Sequence, residues 1–290
     1  MAAHIRVRPA AVAGLFYPDD PAVLRSAVES LLAARAPRLA RELAAAPAVP
    51  TGAGAGAGAG RRPPKAVIAP HAGYSYSGPI AASAFSALAG AAGAGVRRVV
   101  LLGPSHRVPL RGLGLPAVER FATPLGEVPL DLAAAAAVDR LPQVAVRPDA
   151  HEEEHALEVE LPFLQVVLGA FELLPLVVGQ AGGEEIAEVL EQVWGDEDTV
   201  LVISSDLSHY LPAEAAERAD RETAAQILAL AGPLASRQAC GAMPINGLLV
   251  AARRHGLVPR QLDLRHSGDT SGDRSRVVGY GAWAFDADAA

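Results

Sequence analysis

Apolar and polar positions along this chain follow two periods. Four short, nearly continuous apolar runs, Lys65 to Pro70, Arg98 to Gly103, Phe171 to Val178 and Thr199 to Ser205, read as strands buried on both faces. Helical spacing fills the intervals. Leu24, Val28, Leu31 and Leu32 share one face of a helix starting at about Pro21, and Pro79 to Ala92, Asp131 to Leu141, Glu184 to Trp194, Ala213 to Ala231 and Pro244 to His255 read the same way. From His155 to Leu168, residues Leu157, Leu161, Leu164 and Leu168 fall on one face, with Pro162 predicting a kink or break. Arg276 to Phe285 alternates like a closing strand, and Val7 to Asp20, with Pro9 and Gly14 to Pro18, reads as an ordered loop. Strands alternating with helices predict one α/β domain over residues 1–290, a mostly parallel central sheet flanked by helices. Within it, residues 44–64 are mostly Ala, Pro and Gly, and Thr51 to Gly60 is almost pure Gly-Ala. Such a stretch has no side chains to anchor a core and predicts a flexible surface loop.

Composition narrows the classes. The chain has 290 residues, 51% hydrophobic and 20% charged, enough for a sizeable core. A net charge of -7 offers phosphate backbones no basic surface, so nucleic acid is not expected as a partner. No apolar run reaches membrane-spanning length, so no membrane partner is expected. Met1 to Pro9 does not read as a signal peptide, and a lone cysteine, Cys240, forbids an internal disulfide; both fit a cytoplasmic location.

In sheets of this kind, sites gather beyond the carboxyl ends of the strands. Three of the buried strands run into a histidine there: Ala69-Pro70-His71, Gly103-Pro104-Ser105-His106 and Ser204-Ser205-Asp206-Leu207-Ser208-His209. If the strands are parallel neighbours, one rim collects all three imidazoles. Cys240 precedes a helix, in Cys240-Gly241-Ala242-Met243-Pro244, where a tight turn presents the thiol. His71, His106 and Cys240 together form a site for one metal ion with open coordination positions. The donor set resembles the two-His-one-carboxylate face of non-haem iron centres with sulfur in place of oxygen, so iron(II) leads and copper(I) and zinc compete. A separate His151-Glu152-Glu153-Glu154-His155 run fits the His-Glu-x-x-His pattern of zinc proteases, but the better helical signal begins only at His155.

The blocks Ala69-Pro70-His71-Ala72-Gly73-Tyr74-Ser75-Tyr76-Ser77-Gly78, Gly103 to His106, Glu154-His155-Ala156-Leu157-Glu158, Leu161 to Gln165, Ser204 to Tyr210 and Cys240-Gly241 occur in order along nearly the whole chain. Together they resemble the Memo family, the B component of AmmeMemoRadiSam systems. The resemblance implies a fold similar to the class III extradiol dioxygenases, with the metal ligands at His71, His106 and Cys240. It also implies an acid/base histidine at His209 and vestibule aromatics at Phe16 and Tyr76. Asp206 either orients His209 or caps the following turn. His155 and Glu158 would stand behind the ligands, since metal-bound imidazoles donate their other N–H to an acceptor. The family's naming implies a functional link to a radical SAM protein, and animal members imply a peptide ligand. The chain departs from the pattern at Ala156, where serine is common, and at Phe16, which replaces a tryptophan of animal members and counts against peptide binding. The family's cysteine in place of the dioxygenase carboxylate means that ring cleavage is not implied. Three functions follow as expectations: a dioxygenase-related oxidoreductase acting on an unidentified small molecule, an iron- or copper-handling redox protein without turnover, and a peptide- or partner-binding module in the same cleft.

Overall fold

The computed structural model describes residues 5–45 and 62–287. The Gly-Ala repeat, and with it most of the expected 44–64 loop, lies outside the described residues; the helix before it spans Pro21–Ala45. Four parallel strands form the centre of a nine-stranded sheet, in the order Ala66–Ala69, Thr199–Ser204, Arg98–Pro104, Glu172–Val178. Both flanks turn antiparallel. Val277–Ala287 pairs with Ala66–Ala69 on one side, and on the other Leu113–Leu115 pairs with Glu172–Val178 and leads on to Val144–Val146. Leu257–His266 and the short His209–Leu211 strand both attach to Val277–Ala287. The sheet is therefore mixed around a parallel core. A separate three-stranded sheet joins Val7–Arg8, Arg120–Thr123 and Gly126–Pro129.

Successive strand residues point to opposite faces, and both faces are buried, which is why these strands read as unbroken apolar runs. Val67, Ala69, Val99, Leu101, Val200 and Val202 pack with Leu24, Ile80, Phe85 and Leu164 on one face. These partners belong to helices Pro21–Ala45, Tyr74–Ser86 and Leu161–Leu168. Ile68, Val100, Leu102, Leu201 and Ile203 pack on the other with Ile186, Ile227, Leu248 and Leu249. Those come from helices Gly183–Gln192, Ala213–Leu228 and Ala242–Arg254.

Some boundaries move for physical reasons. The helix expected over His155 to Leu168 is a 3₁₀ turn, Glu158–Glu160, followed by an α-helix, Leu161–Leu168. Pro162 occupies the first helical turn, where its missing N–H costs nothing, so it starts a helix instead of kinking one. The helix expected from Asp131 covers Leu132–Val138, with the Asp131 carboxylate accepting the Ala134 N–H at 2.8 Å as its cap. The helix expected from Pro79 begins at Tyr74. Around His151 only Asp149–Glu152 is helical, and His155 lies outside it. The protease geometry, two histidines on one helical face, is therefore not built.

Candidate metal centre

The strands ending at Ala69, Ser204 and Pro104 are parallel neighbours, with Ala69 opposite Ser204 and Leu102 opposite Ile203. Their carboxyl ends thus emerge together. Backbone contacts then lock the turns. The His71 N–H donates to Asp206 Oδ1 at 2.9 Å, the Cys240 N–H to the Asp206 carbonyl at 3.2 Å and the Gly241 N–H to Ser205 Oγ at 2.9 Å. Gly241 is required there: a Cβ would meet Ser205 Cβ at 2.6 Å and the Ser204 carbonyl oxygen at 2.8 Å.

Three imidazoles converge on this rim. Donor atoms of His71, His106 and His155 all lie within 4.8 Å of one another. His106 and His155 stack with ring centroids 4.7 Å apart, and His71 meets both edge-on at 5.2 and 5.4 Å. His71 is 2% exposed, and burial followed by the neighbouring imidazoles holds its pKa well below the usual value. Burial pushes His155 down to about 4. Both rings are therefore neutral at pH 7, the form that binds metal. His155 Nδ1 is buried without a hydrogen-bond partner; Glu154 Oε1 is 3.3 Å away but out of line. Converging neutral donors and an orphaned ring nitrogen fit a metal ion.

Cys240 sits beside this trio. Its Sγ is 3.3 Å from His71 Nε2 and accepts the Asp206 N–H at 3.3 Å. Burial, then Asp206, raises the thiol pKa, so Cys240 is protonated at neutral pH until something displaces the proton. The thiol thus touches one member of the imidazole group without belonging to the set of mutually close donors.

The matching family model, described as Memo-like protein, covers residues 8–284. This chain belongs to the Memo family. It is 36% identical over 303 residues to a MEMO1 family protein of Methanopyrus kandleri, covering 96% of this chain and 98% of that one. Its similarity to a MEMO1 family protein of Methanothermobacter thermautotrophicus is 35%, covering 94% and 98% of the two chains. To one of Aquifex aeolicus it is 34%, over 95% and 98%. No helix among the described residues of this Memo-family protein is long and apolar enough to cross a membrane.

The remaining expected residues of the Memo cleft have definite places. Phe16 packs on His155, centroids 4.7 Å apart, and its carbonyl accepts the Tyr74 N–H at 2.8 Å. Tyr76 is exposed and abuts Gly73 beside Phe16. His209 is exposed, with Nδ1 2.8 Å from the Leu207 carbonyl. A carbonyl only accepts, so Nδ1 carries the proton and Nε2 keeps its lone pair. Among the described residues the Asp206 carboxylate makes no hydrogen bond to His209 or to the turn that follows it; it holds the His71 backbone, and burial pushes its carboxyl up to about 7. Tyr210, next to His209, adopts φ 58, a left-handed conformation that a bulky residue holds at a cost of about 1–2 kcal/mol. Glu158 makes its hydrogen bonds to the N-terminal segment: Arg8, Ala11, Val12 and Tyr17. His151 is buried and bonds the Gly114 carbonyl through Nε2 at 2.8 Å, a role within the fold.

Glu154 was not singled out by its spacing, although it directly precedes His155. It stands behind the cleft, fully buried. Its Oε1 lies 2.9 Å from His106 Nδ1 and its Oε2 accepts the His106 N–H at 2.6 Å. The Ala156 N–H adds a third bond at 2.9 Å. Burial works to raise this carboxyl, but the His106 ring, the charge beside it and the backbone donors hold it below the usual carboxylate range. It is therefore an acceptor, and His106 carries a proton on Nδ1. Glu154→Gln turns an amide toward these donors and is expected to weaken metal binding about 10–100-fold. Competition with a chromophoric chelator measures it; an unchanged Kd would remove Glu154 from the site.

Proposed function

We propose that this protein is a mononuclear metal protein of the oxidation–reduction type, related to the class III extradiol dioxygenases, with iron(II) as its native ion. The observation that carries this reading is the group of three imidazoles with donor atoms within 4.8 Å, flanked by a thiol on His71. An iron(II) ion bound there supplies open coordination positions and electron-transfer chemistry. His71 and His106 hold it through Nε2, each with Nδ1 tied back, to Ser204 and Glu154 respectively. Cys240 is the third ligand, as the family resemblance implies, and His155 lies against the same space. Asp206 keeps the His71 turn in place from the backbone side. His209 Nε2 holds or takes a proton at the mouth of the cleft. Phe16 and Tyr76 give the entrance an apolar wall for a small organic substrate.

The test is anaerobic metal analysis of the purified protein with its His71→Ala, Cys240→Ala and His209→Ala variants, followed by oxygen uptake. The expected result is one iron per chain in the wild type and in His209→Ala, loss of iron in the other two, and loss of oxygen uptake in His209→Ala. Full oxygen uptake without His209 would remove its acid/base role and leave oxygen chemistry to the metal and its ligands; no oxygen uptake in the iron-loaded wild type would leave metal handling without turnover. A folded wild type that takes up no metal would overturn the reading.

A further inference from the structure

Ser204, the last residue of its strand, is fully buried, and three groups crowd its hydroxyl. His71 Nδ1 is 2.6 Å away, the Ala156 carbonyl 2.7 Å and Glu160 Oε1 2.7 Å. A hydroxyl has one hydrogen to give and two lone pairs to receive. The carbonyl can only accept, so the serine hydrogen belongs to Ala156; two oxygens at 2.7 Å with no hydrogen between them repel. Both other partners must then donate. We infer that Glu160 is a neutral carboxylic acid that donates its hydrogen in a hydrogen bond to Ser204 Oγ, so that this hydroxyl, its own hydrogen on the Ala156 carbonyl, is held to accept the Nδ1–H of His71 and leaves that ring's Nε2 lone pair for the cleft.

The surroundings of Glu160 agree. The residue is 0% exposed, and its second oxygen, Oε2, has no hydrogen-bond partner among the described residues. An ionised carboxylate with a bare, buried oxygen is far costlier than the carbonyl oxygen of a neutral acid. Among the described residues no cation pairs with it, and the charged group that acts on it is Asp206, which is like-charged; burial first, and Asp206 with it, outweigh the Ser204 hydrogen bond and push the carboxyl well above its usual range, and buried Tyr74 is the other titratable neighbour. The other end of the chain of bonds also fits: the Cys240 thiol lies 3.3 Å from His71 Nε2, where a lone pair accepts its hydrogen. Glu160 is thus a positioning residue, acting on His71 through Ser204. Glu154 serves His106 as an ionised acceptor; Glu160 serves His71 as a neutral donor. Two acids six residues apart carry opposite protonation states because one faces N–H donors and the other an already committed hydroxyl.

The consequence for metal binding rests on the centre proposed above, whereas the proton placement is read on the metal-free protein. In infrared difference spectra at neutral pH, the wild type minus Glu160→Gln is expected to show the deuterium-sensitive C=O stretch of a protonated carboxylic acid. Selective nitrogen NMR of histidine, assigned with His71→Ala, is expected to show His71 protonated on Nδ1 in the wild type and in Glu160→Gln, whose amide also donates. Glu160→Leu, which has no donor, leaves the Ser204 hydrogen on the Ala156 carbonyl and is expected to keep His71 protonated on Nδ1 while the hydroxyl loses one of its two donors; Ser204→Ala, which removes the acceptor, is expected to mix the tautomers. Zinc affinity is expected to stay near the wild-type value in the glutamine variant and fall about 10–100-fold in Ser204→Ala. Absence of the infrared band, or a His71 protonated on Nε2, would overturn the inference, even if the leucine variant does not fold. A band and tautomer as expected, with zinc affinity flat in every variant including His71→Ala, would uphold the proton placement and sink the metal centre instead.

Discussion

Glu158→Ala is expected to lower the folding free energy of the metal-free protein by about 3–5 kcal/mol, the range for removing one partner of a buried ion pair. The carboxylate is fully buried. It accepts Arg8 Nη1 at 2.6 Å, the Tyr17 hydroxyl at 2.5 Å and the N–H groups of Ala11 and Val12 at 2.8 and 2.9 Å. Arg8 is 5% exposed, so truncation strands its charge with no carboxylate partner among the described residues, facing the His151, Glu154 and Pro9 carbonyls and the Phe121 ring. Two backbone donors and a phenol lose their acceptor at the same time. These contacts hold the segment that carries Phe16 against His155, so the same variant should loosen the wall of the cleft. Glu158→Gln keeps one acceptor oxygen but loses the charge and turns an amide NH2 toward two of these donors, and should fall between the wild type and the alanine variant. Urea denaturation followed by far-UV circular dichroism measures the shift. A midpoint that implies less than about 1 kcal/mol for the alanine variant would mean that the N-terminal segment is held by its apolar contacts, Val12 and Tyr17 above all.

That placement of Glu158 shows where sequence reasoning reaches and where it stops. The strands before His71, His106 and Asp206 were legible because burial on both faces leaves an apolar run that nothing else in the chain imitates. Their parallel adjacency was legible from the alternation with helices, and with it the meeting of His71 and His106. Leu257–His266 was missed for the opposite reason: its burial changes residue by residue, Pro259, Arg260 and Gln261 interrupt it, and no period survives. Leu113–Leu115 and Val144–Val146 are too short to show one. For Glu158 the need of a metal-bound imidazole for an acceptor pointed toward the histidines, yet its partner, Arg8, lies 150 residues away in the chain, a separation no local pattern encodes. Glu154, Ser204 and Glu160 were passed over because their roles depend on which donor meets which acceptor, and that is a property of the packed site. His155 shows the same limit. The sequence reading places it behind the ligands, while its ring stands among the donors themselves.

Whether the third donor is Cys240 or His155 has a measurable signature in protons. His71 and His155 are already neutral at pH 7, so either imidazole binds an ion without releasing a proton. Cys240 is a protonated thiol, raised by burial, and must lose its proton to become a ligand. The sign follows: with Cys240 as ligand, each zinc ion bound releases one proton, and affinity rises about tenfold per pH unit while the pH stays below the thiol pKa. Calorimetric zinc titrations in buffers of different ionisation enthalpy, run above about pH 7.5 where an ordinary imidazole is neutral, count those protons. Wild type minus Cys240→Ala is expected to differ by one proton per ion, and the steep pH slope is expected to vanish with the thiol. His155→Ala is expected to keep both. If the wild type instead releases no more protons than Cys240→Ala, and His155→Ala is the variant that loses affinity, then the ion is held by the three imidazoles and the thiol stays a hydrogen-bond donor to His71. The two outcomes also imply different chemistry: a thiolate donates more charge to the ion and favours softer metals, whereas three neutral imidazoles leave the ion more electrophilic.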